Sequence, residues 1–266
     1  LGLSPGLDFE TRLIARPDAA RVLEREIGKP SYKVAPLCLG SNTDPWQPVE
    51  AQYRITRSVL EVLRDWRHPV TITTRGALVE RDLDIMADMA RMGLAEVGIS
   101  LTTLDAGLAR AMEPRAPSPA RRLAMIRALA DAGVPVRLMM APVIPGLTES
   151  EVEPILSAAR DAGARVAWWS LLRLPHEVSA LFQDWLERHR PNHATKVMKA
   201  LREMRGGRDN DAQFHSRFRG EGPRADLLAR RIALARRKLG YEAALLPLEC
   251  GLFRAPTRSG DQLSLF

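Results

Sequence analysis

Short apolar runs rich in β-branched residues alternate with stretches of helical periodicity, a pattern that predicts a parallel sheet built from βα units. The predicted strands are Pro36–Gly40, Val70–Thr74, Glu96–Leu101, Val136–Pro142 and Val166–Leu172. The run Arg137-Leu138-Met139-Met140-Ala141-Pro142-Val143 has the near-continuous apolar character of a strand covered on both faces. Ile55, Val59, Val62, Leu63 and Trp66 fall at helical spacing within Arg54–Trp66, and Leu83, Met86 and Ala90 do the same further on. Ser118-Pro119 reads as an N-cap followed by a first-turn proline, and Thr148-x-x-Glu151 has the spacing of a capping box. Gly93, Gly133 and Gly163 stand where helices should end.

Beyond residue 189 the strand signal fades. A helix is expected around Ala194–Met204, a break at Gly206-Gly207, and a longer helix around Asp226–Leu239. The division predicted is a barrel portion over 1–188, a helical extension over 189–253 and a flexible tail over 254–266. Five βα units suit either a barrel or an open doubly wound sheet, and periodicity does not choose between them. In both, ligands meet residues just beyond the carboxyl ends of the strands.

Composition narrows the classes. The 266 residues are 45% hydrophobic and 27% charged, which excludes a disordered or fibrous chain. No run of about 18 apolar residues occurs, so no membrane helix is expected, and a cytoplasmic enzyme is the ordinary reading. Cys38 and Cys250, the only cysteines, are too few and too far apart for a disulfide framework, a cluster or a structural zinc, and each reads as a small apolar filler. The five histidines show no metal-ligand spacing. The net charge of +7 is concentrated in arginines after residue 186, Arg202, Arg205, Arg208 and Arg217 among them; a solvated helical surface and a nucleic-acid footprint explain that run equally well.

Polar groups cluster at the predicted strand ends. Ser41-Asn42-Thr43-Asp44-Pro45 follows the first strand and Thr74-Arg75-Gly76 the second; Ser100 and Thr102 close the third, with Glu113-Pro114-Arg115 beyond; Pro145-Gly146-x-x-Glu149 follows the fourth and Arg173 the fifth. Asp44 before proline could brace a turn. Glu113 and Arg115 could pair with each other to hold their loop or face the pocket. A cation such as Arg173 at a barrel mouth is costly unless it is paired or meets a ligand. Trp168 and Trp169, adjacent on a strand, must point to opposite faces.

This succession resembles the radical S-adenosylmethionine (SAM) superfamily, and in particular its spore photoproduct lyase-like branch of uncharacterised bacterial proteins. The resemblance covers nearly the whole chain. It implies an α/β fold, a partial (βα) barrel of parallel strands whose first strand and cluster loop are missing. It also implies two cofactors, SAM and a [4Fe–4S] cluster whose CxxxCxxC ligands would lie immediately before Leu1. As it stands the chain is expected to be inactive, and the full-length form to make a 5′-deoxyadenosyl radical. Ser41, Asn42, Thr43, Asp44, Thr74, Arg75, Ser100, Thr102, Glu113, Arg115 and Arg173 are then the candidates for cofactor contact. SAM presents an ammonium, a carboxylate and a ribose diol, so hydroxyls, an acid and a cation should converge on it. Thr43 and Ser100 would meet its polar groups, and Arg75 would take the place of a lysine used by similar proteins for the carboxylate. Pro145-Gly146-x-x-Glu149 is similar to the family's glycine motif near adenine.

The last residues, Gln262-Leu263-Ser264-Leu265-Phe266, resemble the pentapeptide with which bacterial replication and repair proteins dock on the DNA sliding clamp. Gln262 would supply hydrogen bonds, and Leu263, Leu265 and Phe266 apolar anchors. A DNA-repair or nucleic-acid-modification role follows as an expectation. Two other readings stay open: a clusterless barrel that binds SAM or a nucleotide and acts through its tail, and a barrel of acid/base chemistry, for which no convincing lysine or carboxylate pair stands out.

Overall fold

The computed structural model describes residues 11–213 and 216–256. Five parallel strands, β1 (Leu37–Leu39), β2 (Val70–Thr74), β3 (Ala95–Ser100), β4 (Val136–Val143) and β5 (Val166–Leu171), form one sheet in the order β1-β2-β3-β4-β5. That order decides between the two candidate folds. A doubly wound sheet reverses its direction of growth, whereas strictly consecutive crossovers of one hand put every crossover helix on the same side and curl the sheet toward a barrel. The fold is thus the expected α/β partial barrel, with each predicted strand matched to within a residue or two.

Register assigns the faces. Val70 and Ile72 of β2, Val97 and Ile99 of β3, Val136 and Leu138 of β4 and Trp169 of β5 share the outer face and are buried. The helices α1 (Ala19–Ile27), α2 (Ile55–Asp65), α3 (Leu83–Arg91), α4 (Ala106–Met112), α5 (Pro119–Asp131) and α6 (Val152–Asp161) precede or link the strands, and α2, α3, α5 and α6 supply Leu60, Leu63, Ile85, Met89, Met125, Leu129, Ile155 and Leu156 to the same core. The opposite, concave face carries Thr71, Thr73, Glu96, Gly98, Ser100, Arg137, Met139 and Trp168. Near its amino end, Arg137 donates to both the Glu96 carboxylate (2.7 Å) and the Thr71 hydroxyl (2.9 Å), so the charge there is paired rather than stranded.

Ser118 caps α5 through a bond from the Arg121 amide, and Gly93, Gly133 and Gly163 take positive φ at helix ends, as the sequence predicts. The capping box does not form. The Thr148 hydroxyl accepts from the Ile144 amide, and the Glu151 carboxylate accepts from Leu104 N and Thr103 Oγ1, so both side chains serve neighbouring loops. Cys38 is exposed rather than a buried filler, because β1 is an edge strand and leaves its concave face uncovered. After β5 come α7 (Val178–His189), α8 (Pro191–Glu203) and α9 (Pro223–Lys238); α7 was not apparent in the sequence.

Candidate functional site

The loop after β1 reaches across the end of β2. Gly40 makes this possible, since its φ is +84° and a Cβ there would come within 1.9 Å of the Thr73 carbonyl oxygen. Asp44 then ties the loop down: one carboxylate oxygen accepts from Trp46 N (2.9 Å) and Thr74 Oγ1 (2.7 Å), the other from Arg75 N (2.8 Å). Thr74 in turn accepts from Gly76 N (2.9 Å). Of the two roles open to Asp44, the geometry therefore gives it the bracing one, with Thr74 as its buried partner. Below the loop, the Trp46 indole N–H donates to Asp82, which also receives Arg57 and Arg81. Burial raises the proton affinity of Asp82, but these donors outweigh it and hold the carboxyl below its ordinary range.

A second brace crosses from β2 to β3. The Glu113 carboxylate receives Arg75 on one oxygen and Arg122 on the other; Arg122, itself buried, also donates to the carbonyls of Ser100 (3.1 Å) and Pro117 (3.0 Å). Glu113 thus holds its loop through Arg75 and Arg122, not through its neighbour Arg115, which is exposed. Arg75 is placed in this brace at the rim. A third brace is formed by Glu149, which accepts from Gly146 N (3.1 Å) and from Arg224 of α9 (2.8 Å). Its burial is outweighed by these donors, so this carboxyl too is held low.

Within this framework the structure brings the candidates of the first three strands to one mouth. Ser41, Asn42 and Thr43 are exposed at the rim of the β1 loop. Ser100 has the parity of the concave face and is linked through Arg122, Glu113 and Arg75 to the loop held by Asp44. Thr102 is buried just beyond it. Among the described residues, no side-chain hydrogen bond occupies Ser41, Asn42, Thr43, Ser100 or Thr102, although every brace around them is bonded. Arg173 lies apart, at the end of β5, with its guanidinium 5.4 Å from the centre of the Phe218 ring. The residues Gln262, Leu263, Leu265 and Phe266 lie outside the described residues.

Three residues near the carboxyl ends of the strands carry roles that the sequence alone does not mark. Arg122 stands on the apolar stripe of α5, three residues before Met125 and seven before Leu129, and a charge on such a stripe was the available signal. The spacing of Glu151 predicts a cap, whereas its carboxylate holds Thr103 and Leu104 beyond β3. Arg205, counted within the basic extension, is 4% exposed and donates to the carbonyl of Leu172 at the end of β5. Among the described residues no group of three His, Cys, Asp or Glu side chains is disposed to hold a metal ion. None of their helices is long and apolar enough to cross a membrane.

The profile of the Radical SAM superfamily matches residues 25–159, about half of the chain. An uncharacterized protein of Mycobacterium tuberculosis is 33% identical over 204 residues, which are 76% of this chain and 60% of that protein. An uncharacterized protein of Methanocaldococcus jannaschii is 27% identical over 155 residues, 58% of this chain and 56% of its own length. An uncharacterized protein of Acidianus two-tailed virus is 29% identical over 141 residues, 51% of this chain and 46% of its own. The chain therefore spans 60% or less of the length of each of these relatives.

Proposed function

The chain belongs to the radical SAM superfamily, and from that premise we propose that the mouth at the carboxyl ends of β1–β3 binds S-adenosylmethionine in an enzyme of the spore photoproduct lyase-like branch. The observation that carries this reading is the set of uncommitted polar side chains, Ser41, Asn42 and Thr43 on the rim and Ser100 and Thr102 buried inside it, beside braces whose polar groups are bonded to one another. Hydroxyls and amides held ready in this way suit an ammonium, a carboxylate and a diol. Asp44 and the Glu113–Arg75–Arg122 brace are positioning groups that fix the height of the rim.

The superfamily also implies a [4Fe–4S] cluster that leaves one iron for SAM. The 266 residues do not fit it: three thiolates at short spacing are needed, and Cys38 and Cys250 are two, far apart in the chain. We assign those thiolates to sequence outside these residues, in keeping with the greater length of the relatives, and expect these 266 residues alone to make no 5′-deoxyadenosine. A role in DNA repair or nucleic-acid modification, with the terminal Gln262–Phe266 segment docked on a sliding clamp, completes the proposal.

The test is 5′-deoxyadenosine formation by a longer polypeptide that includes the upstream sequence, reconstituted with iron and sulfide. Thr43→Val and Ser100→Ala should each raise the KM for SAM about three- to tenfold, the loss of one hydrogen bond, with the cluster absorbance unchanged. Unaltered KM values in both variants would remove the mouth from cofactor binding. Cluster absorbance and product from the 266 residues alone would overturn the assignment of the thiolates.

A further inference from the structure

The end of β5 carries two guanidinium groups that form no ion pair among the described residues. Arg205, at the turn after α8, is 4% exposed; its Nη2 donates to the carbonyls of Leu172 (2.5 Å) and Arg217 (3.1 Å), while Nε and Nη1 are buried without a hydrogen-bond partner. Arg173 Nε is likewise buried and without one. Among the described residues neither arginine has a carboxylate within ion-pair distance. Asp211 exerts a negative influence on Arg205, but its own carboxylate is bonded to Ser216 and to the Gln213 amide. Burial lowers the proton affinity of Arg205, Arg173 adds like-charge repulsion, and Asp211 offsets only part of this. Arg205 is thus a buried cation with spare donors, a costly arrangement, and the half-buried Arg173 adds to its charge, so a fold that retains the pair has a use for it.

We propose that Arg173 and Arg205 form an anion site that holds a phosphate group of the substrate, carried on a nucleotide or a nucleic-acid strand. This rests on the reading of the carboxyl-end mouth as the reaction site. Two planar forks with free N–H groups suit a tetrahedral oxyanion better than any neutral ligand. Aromatic surface adjoins them: Phe218 lies against the guanidiniums of Arg173 and Arg217, 5.4 and 4.6 Å from its centre, and edge-on to Trp168 of the concave face at 5.9 Å. Base stacking beside a phosphate anchor is the usual pairing in single-strand recognition. The polar end of SAM is not the anion in question. Its candidate partners stand at β1–β3, two to four strand intervals from β5, roughly 10–19 Å along the sheet at ~4.8 Å per interval.

Binding to the whole chain, measured calorimetrically, tests this with inorganic phosphate, thymidine 5′-monophosphate, a short single-stranded oligodeoxythymidylate and acetate. At least one phosphate-bearing probe should bind, and Arg173→Gln should weaken it about tenfold or more, the loss expected for a charge-assisted contact. Arg205→Lys, which keeps the charge but not the fork, should also weaken it, whereas Arg237→Gln on the exposed face of α9 should change it less than twofold. Preference for the oligonucleotide over the monophosphate would identify a strand, and the reverse a free nucleotide; either supports the site. Equal binding by wild type, Arg173→Gln and Arg205→Lys overturns it, as does acetate binding as tightly as phosphate. Neither cluster nor SAM is needed, so this site can fail while 5′-deoxyadenosine still forms, and the reverse.

Discussion

His68 shows how a single residue ties chemistry to stability. It is fully buried before β2, with Nε2 2.7 Å from the Tyr32 hydroxyl and Nδ1 2.9 Å from the Pro69 carbonyl. Burial pushes its pKa below the ordinary value of 6.5, and the Pro69 carbonyl opposes this only in part. Between the folded value and 6.5 the unfolded chain binds a proton that the folded one refuses, so stability must fall as pH falls through that window. The Tm should therefore be lower at pH 5.5 than at pH 7.5. In His68→Gln the Tm should be lower at both, with a smaller difference between them; an undiminished difference would assign the acid sensitivity to other groups. Residues such as this were beyond the sequence reading, because a histidine without ligand spacing carries no mark of its burial. Arg205 was misplaced for a related reason: it sits among arginines that are solvated, and only the turn at Gly206-Gly207 sends it inward.

At the scale of elements the sequence was far more legible. Strands buried on their outer face betray themselves by apolar runs, and the helix ends by glycines at positive φ, so β1–β5 and the caps of α5 emerge from local pattern. What stayed hidden are elements whose apolar faces are incomplete, such as α7, where only Leu186 is buried, and side chains whose partners are remote in sequence, such as Glu151 with Leu104. The mouth was legible as a list of polar positions, but not in which of them the loops consume: Asp44 and Thr74 are spent on bracing, while Thr43 and Ser100 are left over. Gly40 is the hinge of that arrangement. Gly40→Ala should destabilise the fold by well over the ~1–2 kcal/mol that a left-handed backbone costs, since its Cβ would also strike the Thr73 carbonyl. Gly206→Ala, with φ +60° and nothing within 4 Å of its Cβ, should show the backbone cost alone. Chemical denaturation of both variants checks the difference, and equal losses would mean that the β1 loop relaxes without effort.

Across the whole molecule, the extension and the barrel share one core, which bears on how the protein unfolds. Met198 and Leu201 of α8 and Leu228 and Ile232 of α9 belong to the same buried cluster as the strands. Polar ties run alongside: Arg231 of α9 pairs with Glu153 of α6 (2.8 Å), Arg160 of α6 donates to the Leu239 carbonyl (3.2 Å), and the Tyr241 hydroxyl donates to the Leu156 carbonyl (2.7 Å). Burial pushes the Tyr241 phenol well above its ordinary range, so that bond persists at any pH where the protein is handled. Two units joined by a wet, sparse interface would unfold separately; units that share a dry core lose too much on partial opening to do so. All five tryptophans, Trp46, Trp66, Trp168, Trp169 and Trp185, lie at or before α7, whereas far-UV circular dichroism also reports α8 and α9. Urea unfolding followed by tryptophan fluorescence and by circular dichroism should therefore give coincident transitions, and Tyr241→Phe should shift both midpoints together by the equivalent of about 1 kcal/mol. A chain ending at Gly207 should expose the apolar surface that α9 covers and bind a hydrophobic dye in its native buffer. Separated transitions in the intact chain, or an unchanged fluorescence midpoint in the shortened one, would show that the barrel stands without its extension.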